Sequence, residues 1–412
     1  MERLYWNNDW KFAETWEEAM KEAVYPENEM EDVRLPHTCK ELPYHYFDEH
    51  AYQMLCGYRR HFMAPEAWQG KSVELTFEGV AHDAVVYVNG TEVKAHHCGY
   101  TAFFVEIAKY LKYGEDNVLA VRVDSRENLN IPPFGYAIDY MTFGGMYREV
   151  YVQVRNKTHL ADVFIKPQIH PLQVTTEITV QNISDGITLQ QEIRKKGEGA
   201  YSPLGKKPVK QTNVQTVFPV QEIRLWEPGN PYLYEIRTSL WKNGEMIDAR
   251  VDITGFREAG FRKDGFYLNG KKLRLRGLNR HQSYPYVGYA APASMQIFDA
   301  DILKKELGVN AVRTSHYPQS QDFIRRCDEI GLLVFTEFPG WQHIGDEEWK
   351  RQAVQNLKEM IVQYRNHPSI ILWGVRINES QDDDVFYRET NRVAHELDDT
   401  RATGGVRMLK KS

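Results

Sequence analysis

Cysteine is scarce in this sequence, with four residues in 412: Cys39, Cys56, Cys98 and Cys327. They are scattered, so they match neither the close pairs of a zinc site nor the dense framework of a small disulfide-stapled domain, and they read as free thiols. Long apolar runs are missing too. No stretch approaches the ~20 apolar residues that span a bilayer, and the leading Met1-Glu-Arg-Leu-Tyr-Trp-Asn-Asn8 has no apolar core of signal-peptide length. The expectation is therefore a cytoplasmic protein without a membrane partner. Basic excess is also lacking: 51 Lys and Arg stand against 57 Asp and Glu, a formal charge of -6. With no basic stripe, the usual footprint of a nucleic-acid-binding surface is absent.

Aromatic residues are abundant, with 9 Trp and 24 Tyr. Aromatic faces stack on the apolar faces of sugar rings, but they also fill β-sandwich cores, and core use accounts for most of them. The length exceeds the ~100–200 residues of one domain, so several domains are expected.

Up to about Arg155 the apolar residues recur every second position: Val73, Leu75 and Phe77; Leu119, Val121 and Val123; Val150, Val152 and Val154. That is the pattern of strands with one buried face. Asn89-Gly90 after Val85-Val-Tyr-Val88 supplies the positive φ of a tight hairpin. Residues 1–155 therefore read as a jelly-roll sandwich. Residues 156–256 repeat the texture, with Val174, Ile178 and Val180 on one face and Tyr234, Ile236, Thr238 and Leu240 before a second hairpin signal at Asn243-Gly244. Their length suits a seven-stranded immunoglobulin-like sandwich.

From about residue 257 to 412 short apolar runs alternate with segments of helical period. Lys272 to Leu278 is the first expected strand, followed by a helix from Ser294 carrying Phe298, Ile302, Leu303 and Leu307. Asn310 to Arg313, Leu332 to Thr336, Ser369 to Val375 and Gly404 to Arg407 are the next strands. Between them lie helices with Phe323, Cys327 and Ile330; with Trp349, Ala353, Leu357 and Ile361; and with Phe386 to Leu397. Continuous apolar strands alternating with amphipathic helices point to a parallel sheet, either doubly wound or the first part of an eight-stranded barrel. The Gly-rich phosphate fingerprint of the doubly wound class is absent.

Each parallel strand runs into polar residues: Asn279-Arg280-His281, then Arg313-Thr-Ser-His316, then Glu337, then Asn378-Glu379. In a (β/α) barrel these ends open on one face, where barrel active sites are built. Singly, each residue is more often a structural hydrogen-bonding partner or, for a Glu at a helix start, a dipole partner. Two imidazoles, two carboxylates, two amides and two guanidiniums at successive strand ends form a candidate catalytic constellation.

On His281, Arg313-Thr-Ser-His-Tyr-Pro318, Glu337, Asn366-His-Pro-Ser369 and Asn378-Glu379, behind two sandwiches, the sequence resembles family two of the glycoside hydrolases. The resemblance implies a multidomain β plus α/β fold: a jelly-roll sugar-binding domain, an immunoglobulin-like domain and the first part of a (β/α)8 catalytic barrel. It implies a retaining exo-glycosidase on terminal β-linked sugars. Glu379 matches the general acid/base, and Asn378 the neighbour that holds the sugar 2-hydroxyl. His281 and His316 match histidines of the sugar pocket, Glu337 a supporting pocket residue, and Asp139, before Gly144-Gly-Met-Tyr-Arg148, a loop carboxylate lent by the first domain; Asn279 is expected in the same pocket from its place at the end of the first strand. Asn279-Arg280-His281 resembles the β-galactosidase branch, whereas Lys is usual at the position of Arg280 in β-glucuronidases.

A retaining glycosidase needs two carboxylates about 5–5.5 Å apart, one as acid/base and one as nucleophile. The family's nucleophile follows a seventh strand, and the numbering stops at Ser412, so this stretch alone is expected to be inactive. Asp382, Asp383 and Asp384 read as the acidic first turn of a helix rather than as a second catalytic carboxylate. The expected partners are a carbohydrate substrate and either a second copy or a complementing C-terminal part. No cofactor and no metal are expected: where some relatives hold magnesium, His343 is present but Trp341 occupies the matching acidic position, and that set is not an oxygen-rich shell. The alternatives are a β-glucuronidase-like enzyme and a non-catalytic carbohydrate-binding or assembly fragment.

Overall fold

The computed structural model describes residues 3–45, 48–135 and 137–408. The first period-two stretches form a jelly-roll sandwich of two antiparallel sheets. One has six strands in the order Glu31–Val33, Trp10–Ala13, Leu55–Met63, Asp116–Asp124, Asp83–Val88 and Thr91–His96; the other has four, Leu4–Tyr5, Val150–Arg155, Ser72–Phe77 and Phe103–Glu106. Val73, Leu75 and Phe77 meet Leu119, Val121 and Val123 in one shared core. At the hairpin, Asn89 (φ 49°) and Gly90 (φ 83°) supply the two left-handed residues the turn needs.

The second, immunoglobulin-like sandwich has three strands, His159–Ile169, Leu172–Gln181 and Asn213–Pro219, against four, Ser202–Pro208, Ile187–Lys195, Tyr234–Lys242 and Glu245–Thr254. Val174, Ile178 and Val180 bury against Leu189, Ile236 and Leu240 of the facing sheet.

The third part begins with a small antiparallel sheet, Ala259–Arg262, Gly265–Leu268 and Lys271–Leu273. The run Lys272–Leu278, expected to be one strand, is therefore divided: its start closes this small sheet and its end opens the parallel one. That sheet has five strands: β1 (Gly277–Arg280), β2 (Ala311–Thr314), β3 (Leu333–Glu337), β4 (Ile370–Gly374) and β5 (Ala402–Gly404). They are hydrogen-bonded in sequence order, all parallel. A doubly wound sheet would reverse its order at a switch point. Here the helices α1 (Ala293–Asp301), α2 (Gln321–Ile330), α3 (Glu347–Tyr364) and α4 (Asp384–Leu397) follow in turn. Strand residues Val312, Val334, Ile370 and Trp373 share one core with residues of all four helices, which is the outer layer of a partial (β/α) barrel.

Local signals explain the helix ends. Ser320 caps α2 by accepting from Asp322 N, and Gly331 (φ 68°) ends it in the left-handed conformation. Asp346 caps α3, whose Trp349, Ala353, Leu357 and Ile361 are fully buried. Asp383 caps α4, so the acidic run 382–384 is a helix start. The first helix differs from expectation: Phe298 and Leu307 are exposed, and Ile302–Glu306 forms a π-turn. α1 follows the edge strand β1, and one of its flanks has no neighbouring helix among the described residues.

Asn366 joins the barrel to the second sandwich. Its Oδ1 accepts from Ile165 N at 2.9 Å, and its Nδ2 donates to Val163 O at 2.8 Å. Next to it His367 Nδ1 meets Asp328 Oδ2 at 2.5 Å, and Ser369 N donates to Asp328 Oδ1 at 3.0 Å. The segment Asn366-His-Pro-Ser369 thus fixes the start of β4 from below, and through β4 it sets the height of Asn378 and Glu379 above.

Candidate active site

Arg313 organises the mouth of the sheet. It lies on β2, and its guanidinium donates to both oxygens of Glu337 at the end of β3 (2.7 and 2.8 Å) and to Asn378 Oδ1 (2.6 Å). His316 Nδ1 lies 2.8 Å from Glu337 Oε1. An ionised carboxylate only accepts, so Nδ1 carries the hydrogen in that bond. Glu337 is 1% exposed, and three charge-assisted bonds plus the imidazole occupy its oxygens.

The same geometry fixes Asn378. Arg313 is donor-only, so the atom it meets is the amide oxygen. Among the described residues the Nδ2 group is buried without a partner, a donor left free for an acceptor such as a bound ligand. Glu379 follows, half-buried, with φ 51° in the left-handed region that a side chain rarely adopts. Its amide donates to Val406 O at 2.9 Å, and Gln342 Nε2 donates to its Oε2 at 3.3 Å. Trp341, bridged to Asn378, lays its ring 4.9 Å from that of His316.

His281 stands beside them, its ring 5.4 Å from His316 and its Nδ1 3.1 Å from the Tyr317 hydroxyl. Burial, helped by the neighbouring charges of His316, Arg313 and Arg280, holds its pKa down to about 4. At neutral pH it is an uncharged donor and acceptor. Asn279 occupies the β1 position paired with Arg313, exposed on the concave face of the sheet.

The first sandwich reaches this mouth. Tyr140 places its ring 5.2 Å from His281 and 5.9 Å from His316, and its hydroxyl is buried without a partner among the described residues. Asp139 beside it is exposed; partial burial and the Glu379 charge raise its carboxyl above the ordinary range, against the pull of His316. The loop is tied down by Tyr289, whose hydroxyl donates to Met141 O at 2.5 Å, and by Thr142 N, which donates to the Tyr52 hydroxyl at 3.0 Å.

Of the two guanidiniums expected to converge, only Arg313 does. Arg280 points outward, to Asp299 (2.6 Å) and Gln296 (2.8 Å) of α1 and to Gln319, with its guanidinium 4.1 Å from the Phe323 ring. The alternation of a strand puts residues 279 and 281 on one face and 280 on the other. Tyr140, Trp341 and Gln342 were not read from the sequence as site residues. They come from loops, where no periodicity marks direction. Among the described residues, no group of three or more His, Cys, Asp or Glu side chains is arranged to hold a metal ion.

Three consecutive stretches match family descriptions: residues 32–155 "Glycosyl hydrolases family 2, sugar binding domain", residues 158–257 "Glycosyl hydrolases family 2", and residues 260–407 "Glycosyl hydrolases family 2, TIM barrel domain". The chain belongs to family two of the glycoside hydrolases. This family-two chain is 48% identical over 417 aligned residues to a β-galactosidase of Thermoanaerobacter pseudethanolicus, covering 99% of the chain and 56% of the relative. It is 46% identical to a β-galactosidase of Thermoanaerobacterium thermosulfurigenes, covering 98% and 58%. In fold it is similar to Bacteroides uniformis β-glucuronidase 2 bound covalently to cyclophellitol-6-carboxylate aziridine, with TM-score 0.88, 28% identity, and coverage of 98% of this chain and 52% of that one. The chain thus spans somewhat over half the length of these relatives.

Proposed function

We propose that this chain carries the acid/base half of a retaining exo-glycosidase of the β-galactosidase type, acting on terminal β-linked sugars. The observation that carries the reading is the pair Asn378-Glu379: a buried amide donor without a partner, its oxygen locked by Arg313, next to a carboxyl held at the mouth on a left-handed backbone. In this reading Glu379 protonates the departing glycosidic oxygen and then, as a base, activates water. Asn378 Nδ2 donates to the 2-hydroxyl, a bond that strengthens as oxocarbenium character develops. His281, His316 and Asn279 meet further hydroxyls, and Asp139 brings a carboxylate from the first sandwich.

Glu337 is unsuited to the role of nucleophile, because both its oxygens are held by Arg313 and His316 and its side chain is sealed from solvent. We assign the nucleophile to polypeptide that completes the barrel, as the greater length of the relatives suggests. The names of the two relatives favour a galactoside over a glucuronide. The test compares the chain alone with a chimera continued by the part of the Thermoanaerobacter relative beyond the match, on nitrophenyl β-galactoside and β-glucuronide. Turnover of the galactoside by the chimera only is the expected result. A folded chimera inert on both substrates would refute the reading.

A further inference from the structure

A second concave site lies at the opposite end of the parallel sheet. Where the second sandwich meets the linker and the loops that lead into β4 and β5, there is a cavity of about 310 Å³, at the small end of the range that holds small-molecule ligands, roughly 300–1,000 Å³. Four cationic side chains line it, Lys166, Arg257, Arg365 and Arg401, with two carboxylates, Glu258 and Asp399.

Most of these charges are already matched. Lys166 pairs with Asp399 at 2.8 Å and with Glu177 at 2.6 Å; Arg401 pairs with Asp398 at 2.6 Å; Arg365 pairs with Asp162. Among the four cations Arg257 is the exception, and among the described residues the carboxylate Glu258 at the rim is unpaired as well. Arg257 Nε and Nη2 donate to the carbonyls of Pro368 (2.8 Å) and Ile370 (2.6 Å), and among the described residues the side chain makes no ion pair with a carboxylate. Asp398 and Asp328 act on it from a distance, but Asp398 is held by Arg401, Trp373 and Thr400, and Asp328 by His367 and Ser369. Burial and the like charge of Arg401 push the Arg257 pKa down to about 9. A guanidinium so placed keeps its proton and is short of counter-charge. Arg365 adds a buried Nε without a partner among the described residues.

We propose that this cavity binds a phosphate group, as inorganic phosphate or as the phosphate monoester of a small metabolite, on the Arg257 guanidinium. A forked guanidinium matches a tetrahedral oxyanion, and a weakly hydrated arginine is desolvated at less cost than a lysine. The occupant would bridge the immunoglobulin-like sandwich and the underside of the barrel, so its binding adds to the stability of the junction.

The experiment is calorimetric titration of the folded chain at neutral pH with inorganic phosphate, and separately with a sugar 6-phosphate, at ionic strength held constant with chloride. One saturable site per chain is expected. Tighter binding of the sugar phosphate identifies a monoester as the ligand; equal binding identifies free phosphate. Arg257→Gln should weaken binding at least roughly tenfold, in line with loss of one charged bidentate partner. Because Arg257 also holds two carbonyls and its replacement can unfold the junction, Glu258→Gln is the second variant. It removes an exposed carboxylate at the rim and should tighten binding about threefold, the gain from one fewer screened repulsion. Absence of saturable binding by the folded wild-type chain up to about 10 mM phosphate, or affinity unchanged in both variants, would overturn the proposal.

Discussion

Replacing Arg313 with Met removes the cation that holds Glu337 and Asn378 in place. Glu337 is 1% exposed and Arg313 14%, so the pair lies where water does little to screen either charge. Breaking a buried pair by removing one partner costs about 3–5 kcal/mol, because the remaining charge stays buried without compensation. His316 alone would then face Glu337. For a barrel part of this size the loss corresponds to a fall in unfolding midpoint of roughly 6–20 °C, at about 2–4 °C per kcal/mol. The double substitution Arg313→Met with Glu337→Leu, which removes both charges, should recover most of it, to within about 1 kcal/mol of the wild type. The assay is denaturant unfolding followed by tryptophan fluorescence, with the transition of the barrel part separated from those of the sandwiches. If the single substitution cost under about 1 kcal/mol, or the double were no better than the single, Arg313 would not be the organiser of the mouth.

Three further outcomes follow from the geometry. Asn366→Ala strands Ile165 N and Val163 O and should lower stability by about 1–3 kcal/mol, read as earlier release of the second sandwich in hydrogen exchange; unchanged protection of strand His159–Ile169 would count against the joint. His37, His82 and His281 are each held near pKa 4 mainly by burial, against an ordinary 6.5. The unfolded chain therefore takes up protons that the folded chain refuses between those values, and stability, full above pH 6.5, should fall as pH drops toward 4; His82→Gln should flatten that slope, and a slope of the opposite sign would contradict the burial argument. Finally, the chain alone should show negligible turnover of aryl β-galactosides, since catalytic carboxylates act as a unit. Ordinary enzyme rates from the purified chain would bring Glu337, or a carboxylate from a second copy, into consideration as nucleophile.

Much of this architecture is legible in single residues. The four-residue recurrence of Trp349, Ala353, Leu357 and Ile361 is the buried stripe of α3, and Asn89-Gly90 and Gly331 each sit where only a left-handed residue serves. Sequence order alone left the parallel sheet open between doubly wound and barrel, because hydrogen-bonding order is not a local property; the unreversed order decides it. At the site, the direction of strand residues was available in principle: parity separates Arg280 from Asn279 and His281, and the expectation that both guanidiniums converge ignored it. Tyr140, Trp341 and Gln342 carry no such signal. Their directions depend on loops pinned by contacts distant in sequence, such as Tyr289 to Met141. The division of Lys272–Leu278 between two sheets was invisible for a related reason: apolar alternation marks a strand but not its partner.

The central claim, that Glu379 is the acid/base of a retaining enzyme, is tested most directly by azide rescue of Glu379→Ala in the chimera with a completed barrel, using an aryl galactoside whose leaving group needs no protonation. The covalent glycosyl intermediate should then still form but await a nucleophile, because water has lost its base. Azide needs no base. The account predicts that azide restores turnover and that the product is the β-configured galactosyl azide. No rescue by azide, or an α-configured product, would contradict it.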